Sequence, residues 1–224
     1  GRLLLLRAAA GDRAVGEVLV FPAHSTILGG RNRLLSGDWP GALARSRPGV
    51  ALVVQGAVGD QSVQLPPGVA ADPEAYARVL GEVVRALPFP PGEAAPALAA
   101  ATAEVSLPDP ELGGAPPMLR RPAANLLGGS APAVSRVVAL RAGPALLLLA
   151  PAEPVEAVGR AWREAAGHGS EVVSLAGDYL GYVETPQRTR AGLGETKRSY
   201  FGPTLAWRLG DALVLAAEAT RPGR

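Results

Sequence analysis

The sequence predicts an α/β fold, a mixed-sheet α/β sandwich with helices packed on the sheets. Three observations predict it. Short apolar runs of strand length alternate with stretches of helical period. Several of these runs flank short Gly-containing turns, as antiparallel hairpins do. The alternation is irregular, which argues against a repeated βαβ unit with a purely parallel sheet. With 224 residues, 48% of them hydrophobic, the chain can bury a sizeable core, and 1–224 is read as one domain.

In order, 3–10 and 15–21 flank Gly11-Asp12-Arg13 and read as a hairpin. A polar stretch, 29–33, precedes a short helix over 38–45. The run 49–55 is a strand by length and valine content. Asp72 is an N-cap with Pro73 at the first helical position, opening a helix to about Leu87. Tyr76, Val79, Leu80, Val83 and Val84 form its apolar face. A proline-rich connection, 88–96, leads to a strand over 98–107. The stretch 108–132 reads as a long excursion or mobile flap. A second hairpin joins 134–140 to 145–150. A helix over 153–166, a strand over 171–175, a mostly irregular 178–202 and a closing helix over 204–217 complete the chain. Within it, 187–199 is fully polar and reads as a solvated loop or lid.

The formal charge of +2 is nearly neutral, and no Lys/Arg cluster is interleaved with aromatics, so a nucleic-acid partner is not expected. Without cysteine there is no disulfide and no thiolate zinc site. No apolar run reaches the roughly 20 residues that span a bilayer. The chain opens at Gly1 straight into an apolar run, with no signal peptide, and is expected to lack an N-terminal part of its fold.

Four places carry chemistry. His24 ends a strand in Phe21-Pro22-Ala23-His24-Ser25-Thr26 and is either a transition-metal ligand or a satisfied strand-end histidine. Gly59-Asp60-Gln61-Ser62 follows a strand and either presents a serine or makes an ordinary turn; it is not a G-x-S-x-G elbow. Glu153, in Pro151-Ala152-Glu153-Pro154, can cap a helix or bind a metal. The segment 178–186 gathers Tyr179 and Tyr182 beside glycine and proline, as packing anchors or as ligands.

The order of these motifs resembles the neutral/alkaline ceramidase family. The match begins with the strand-end His24-Ser25-Thr26, followed by Asn32 and Asp38-Trp39-Pro40-Gly41. Gly59-Asp60-Gln61-Ser62-Val63 matches G-(D/N)-x-S-P, and Pro151-Ala152-Glu153-Pro154-Val155 matches P-G-E-P/F-T. Tyr182-Val183-Glu184-Thr185 matches Y-V-x-T, and Gly194-Glu195 ahead of Gly202-Pro203 matches Y-E-G before a G-P step.

The resemblance implies a zinc-dependent amidohydrolase that cleaves an N-acyl bond of ceramide or a related lipid. His24, Glu153 and Tyr182 would be zinc ligands, with Ser62 and, by a looser match, Arg45 in the hydrolytic site. It also implies a small-molecule amide or lipid substrate, peripheral membrane contact, a secreted or periplasmic location, and an upstream segment or chain that completes the zinc site with a further histidine. His168, at a helix end, does not match that histidine. The chain departs from the pattern at Val63, Ala152 and Gly194, and the family's C-terminal immunoglobulin-like domain is not expected in it. The alternatives are a catalytically impaired relative that serves as a binding or partner domain, and a metal-free serine hydrolase built on Ser62 and His24.

Overall fold

The computed structural model describes residues 2–11, 13–88, 92, 96–127 and 132–221. The chain divides into two compact units. One comprises Gly1–Gly56 and Gln61–Ala94, the other Ala57–Asp60 and Ala95–Arg224. The mixed α/β class and the mixed sheets are borne out in both. Asp12 and most of the 88–96 connection lie outside the described residues.

In the first unit, β1 (Leu4–Ala10) pairs antiparallel with β2 (Arg13–Phe21). After α1 (Asp38–Arg45), β3 (Val50–Gln55) returns parallel to β2. The strand order is β1-β2-β3. Leu5, Leu19 and Val53 stand in register, so the two-residue side-chain period puts all three on one face. That face packs in one core with Trp39 and Leu43 of α1 and Tyr76, Leu80 and Val84 of α2 (Pro73–Ala86). Trp39 meets Phe21 and Tyr76 edge-on, each with ring centroids 5.8 Å apart, and its indole donates to the His24 carbonyl at 3.2 Å. The Asp72 side chain caps α2 as expected, by accepting from the Ala75 N–H. The buried stripe of α2 differs from the expected one. Ala77 and Gly81 belong to it, and Val83 faces solvent.

A buried ion cluster fastens the same sheet. Glu17 on β2 stands opposite Arg7 on β1 and accepts from its Nε at 2.7 Å. Arg47, just after α1, grips the carboxylate with two hydrogen bonds, Nε to Oε2 at 2.7 Å and Nη2 to Oε1 at 3.1 Å. Burial pushes the Glu17 pKa up, but the bonds from Arg47 and then Arg7 outweigh it and hold the carboxyl below its ordinary value.

In the second unit, β4 (Leu98–Ser106), β5 (Val134–Ala142) and β6 (Ala145–Leu149) run antiparallel, and β8 (Ser170–Val173) adds parallel to β6. Two-residue strands β7 (Glu153–Pro154) and β9 (Tyr182–Val183) pair with each other in parallel. The helices are α3 (Arg120–Leu127), α4 (Glu156–Ala166), α5 (Pro186–Ala191) and α6 (Leu205–Ala219). Val137, Leu146, Leu148 and Val172 of the sheet form one core with Val158 and Trp162 of α4 and Leu205, Leu209 and Leu213 of α6. The Trp162 indole donates to the Ala206 carbonyl at 2.9 Å and locks α4 to α6.

Three expected elements are corrected here. The helix expected from 153 begins at Glu156, because 153–154 is spent on pairing with β9. The stretch 108–132 contains a 3₁₀ turn and α3; Pro122 sits in the first turn of α3, where no intrahelical N–H is needed. The polar stretch 187–199 is not a solvated loop. It folds as α5 and a 3₁₀ turn (Gly194–Arg198), with Thr189, Thr196 and Ser199 buried. Among the described residues no helix is long and apolar enough to cross a membrane.

The Glu17 cluster makes a sharp prediction. Glu17→Gln leaves Arg47 buried against a neutral partner and should cost about 3–5 kcal/mol in urea unfolding at neutral pH. The wild-type contribution is present above the ordinary carboxylate pKa and lost as pH falls through the lowered folded value. The variant's stability should therefore fall less on acidification, which a urea series across acidic pH measures.

Candidate functional site

The sequence-derived site residues fall into both units. His24, Arg45 and Ser62 belong to the first, and Glu153 and Tyr182 to the second.

In the first unit, Phe21 ends β2 and the backbone turns out of the sheet at Pro22. The His24 N–H donates to the Gln61 carbonyl at 3.0 Å, and its own carbonyl accepts from Thr26 and from Trp39. His24 is therefore held at both main-chain groups, and the residue is half-buried. The bond from His24 to Gln61 brings the two motifs together, and Ser62 follows directly, exposed. Arg45, at the end of α1, is exposed and paired with Glu74 of α2 at 2.6 Å.

In the second unit, β7 and β9 bring Glu153 and Tyr182 into register as direct neighbours. The Glu153 N–H donates to the Gly181 carbonyl, and the Val155 N–H to the Val183 carbonyl, each at 3.0 Å. The segment Ala57–Asp60 seats β7 from its other edge. Gly59 N–H donates to the Pro154 carbonyl at 2.9 Å. The approach is so close that a Cβ at position 59 would lie 2.7 Å from the Glu153 carbonyl oxygen. Asp60 Oδ1 then accepts from the Glu156 N–H at 2.8 Å, across 96 residues of sequence. Asp60, not Glu153, satisfies the start of α4, where a negative charge is favoured.

Glu153 is buried, and its carboxylate meets two phenols. Tyr179 donates to Oε1 at 2.8 Å, and Tyr182 hydrogen-bonds the same side chain. Burial raises the Tyr182 pKa most, and the neighbouring Glu153 charge adds to it, reaching about 12. Burial and the Glu153 hydrogen bond raise Tyr179 as well. The Arg198 guanidinium lies 5.5 Å from the Tyr182 ring centroid and pairs with Glu195. Behind Tyr182, buried Glu184 accepts from the Thr185 N–H at 2.7 Å and from the Glu195 N–H and Arg188 Nε at 3.2 Å each. It ties α5 and the 3₁₀ turn to β9.

A carboxylate and a phenol side by side offer two oxygen donors to a divalent cation, and zinc is among the cations that accept such oxygens, provided that the phenol gives up its proton. Among the described residues no group of three or more His, Cys, Asp and Glu side chains gathers to hold a metal. A metal at Glu153 therefore depends on a phenolic oxygen and on further donors.

Asp60 and Glu184 were missed as contributors from sequence, and Tyr179 was singled out without its partner. Tyr179 and Asp60 stood inside the motifs singled out, but nothing in their spacing signalled contacts 26 and 96 residues away. The turn that Glu184 organises did carry a signal. Thr185-Pro186, closed by Gly192, is an N-cap, a first-turn proline and a left-handed C-cap.

No protein-family model matches the chain, and no curated protein matches it. Among solved structures the chain is similar to the neutral ceramidase of Pseudomonas aeruginosa, with a TM-score of 0.70 and 22% identity, covering 96% of this chain and 46% of that one. It is also similar to a ceramidase complexed with C2, with a TM-score of 0.72 and 21% identity, covering 96% and 47% respectively. At this identity the likeness shows the fold, and the fold expected from the order of motifs is borne out. The chain spans just under half the length of these structures.

Two measurements check this geometry in metal-free protein. Tyr182 should ionise near pH 12 by phenolate absorbance, and the high-pH step should shrink in Tyr182→Phe. Because the folded pKa is the raised one, stability should fall as pH climbs from the ordinary phenol value through 12, and less so in the variant. Gly59→Ala should destabilise the fold by about 1–3 kcal/mol, since the added methyl forces β7 off its seat.

Proposed function

We propose that this chain is the part of a ceramidase-like amidohydrolase that carries one share of a zinc site, and that it acts on an N-acyl amide of a lipid. The observation that carries the reading is the in-register pairing of Glu153 with Tyr182, which sets a buried carboxylate beside a phenol. The ceramidase-like fold supports it. Glu153 and Tyr182 are the oxygen donors of this reading. His24 enters through its strand-end motif, and residues 1–224 are read as one catalytic portion.

When bound, zinc supplies a Lewis acid for the amide carbonyl and acidifies water at neutral pH. The chain's own residues do the rest. Glu153 orients its carboxylate from β7, held by Gly59 and by Gly181. Tyr182 must lose a proton to ligate. With its pKa near 12, loss at neutral pH requires a cation at the oxygen, so zinc affinity should rise with pH. Ser62 offers an exposed hydroxyl next to Gln61, whose carbonyl fixes His24. Arg45 is free to serve an oxyanion only by leaving Glu74, and an exposed pair of this kind holds by about 0–1 kcal/mol.

One observation favours a second reading, a relative that kept the fold and lost the chemistry. Gly194 stands where the resembled motif has tyrosine, and a Cβ there would collide with the Glu184 carboxylate and crowd Arg188, so a side chain would have to displace that pair.

Elemental analysis of the full-length protein tests the first reading. Zinc should be stoichiometric in the wild type and lost in His24→Ala, Glu153→Gln and Tyr182→Phe. Unchanged zinc in these variants overturns the ligand assignment. Amide hydrolysis of N-acyl lipids with zinc should drop at least about a hundredfold in Ser62→Ala. A wild type that binds zinc but hydrolyses no amide supports the second reading.

A further inference from the structure

Tyr179 is half exposed, yet its hydroxyl reaches the buried carboxylate of Glu153. Its backbone is fixed on both sides. The Tyr179 N–H donates to Asp178 Oδ1 at 2.8 Å, and the N–H of the next residue, buried Leu180, donates to the Pro151 carbonyl at 2.7 Å. Pro151 lies two residues before Glu153. The segments carrying phenol and carboxylate are thus hydrogen-bonded to each other, and the 2.8 Å bond to Oε1 closes a small ring of contacts.

The terminal torsion of a glutamate is broad and roughly two-fold, so a carboxylate does not choose its own orientation. A donor on a fixed backbone chooses it. Hydrogen bonds of this kind to a ligating carboxylate orient it and tune its affinity for metal. We propose that Tyr179 is a positioning residue: it holds Oε1 of Glu153 so that the carboxylate presents its other oxygen to a divalent metal ion. The inference rests on the metal-site reading above. The contrasting role is purely structural, in which the hydroxyl does no more than satisfy a buried carboxylate.

The test measures zinc dissociation constants on metal-stripped full-length protein by chelator competition, alongside the Tm of the metal-free protein. Tyr179→Phe keeps the ring and removes only the donor. Its zinc affinity should fall about 10–100-fold, while Glu153→Gln should lose binding almost entirely. Wild-type zinc affinity in Tyr179→Phe overturns the inference, whether or not the metal-free Tm drops. Failure of the underlying reading looks different: the wild type takes up no zinc, or Glu153→Gln binds it as the wild type does.

Discussion

The geometry of the second unit depends on how a two-residue strand is seated. Glu153 and Pro154 are only two residues of strand, yet β7 is gripped along both edges. Gly181 and Val183 hold it from β9, and Gly59 holds it from the other edge. Only a glycine lets the 57–60 segment come this near, and Asp60 then completes the start of α4. One short strand therefore positions Glu153, aims α4 and anchors the turn that carries Tyr179 and Tyr182. None of this would survive as a local structure. A two-residue strand has too few hydrogen bonds to persist without tertiary partners.

The buried carboxylates of the chain are neutralised in different ways, and the contrast separates scaffold from site. Glu17 is clasped by two guanidinium groups, Glu171 shares Arg163 with Glu156, and Glu184 is met by backbone N–H groups and Arg188. Such arrangements hold elements together and leave the charge fixed. Glu153 instead takes hydrogen bonds from two phenols. A phenol can yield its place, or its proton, to a cation, whereas an arginine does not deprotonate in proteins.

Much of the architecture was legible because it rests on local rules. The β1–β2 hairpin, the Asp72-Pro73 start of α2, and the lengths of α1, β3 and α6 follow from period, caps and turns. The site was legible only as residues. From sequence Glu153 reads as the carboxylate that opens a helix, since a negative charge is favoured there, and only pairing with a strand 29 positions away makes it β7. The 187–199 stretch looked solvated because it is polar. Its buried threonines, Thr189 and Thr196, donate to backbone carbonyls, which hydropathy does not register.

Gly194 adopts a left-handed backbone, with φ of 60°, and a Cβ there would collide with the Glu184 carboxylate and crowd Arg188. The consequence concerns the order in which substitutions can accumulate. A side chain introduced here by one change is disfavoured by the backbone and must displace the Glu184–Arg188 pair. Glu184 cannot simply be removed first, because it holds the N–H groups of Thr185 and Glu195. Positions 194 and 184 are thus coupled: a side chain at 194 needs Glu184 and Arg188 to give way, and a change at Glu184 needs new partners for the N–H groups of Thr185 and Glu195.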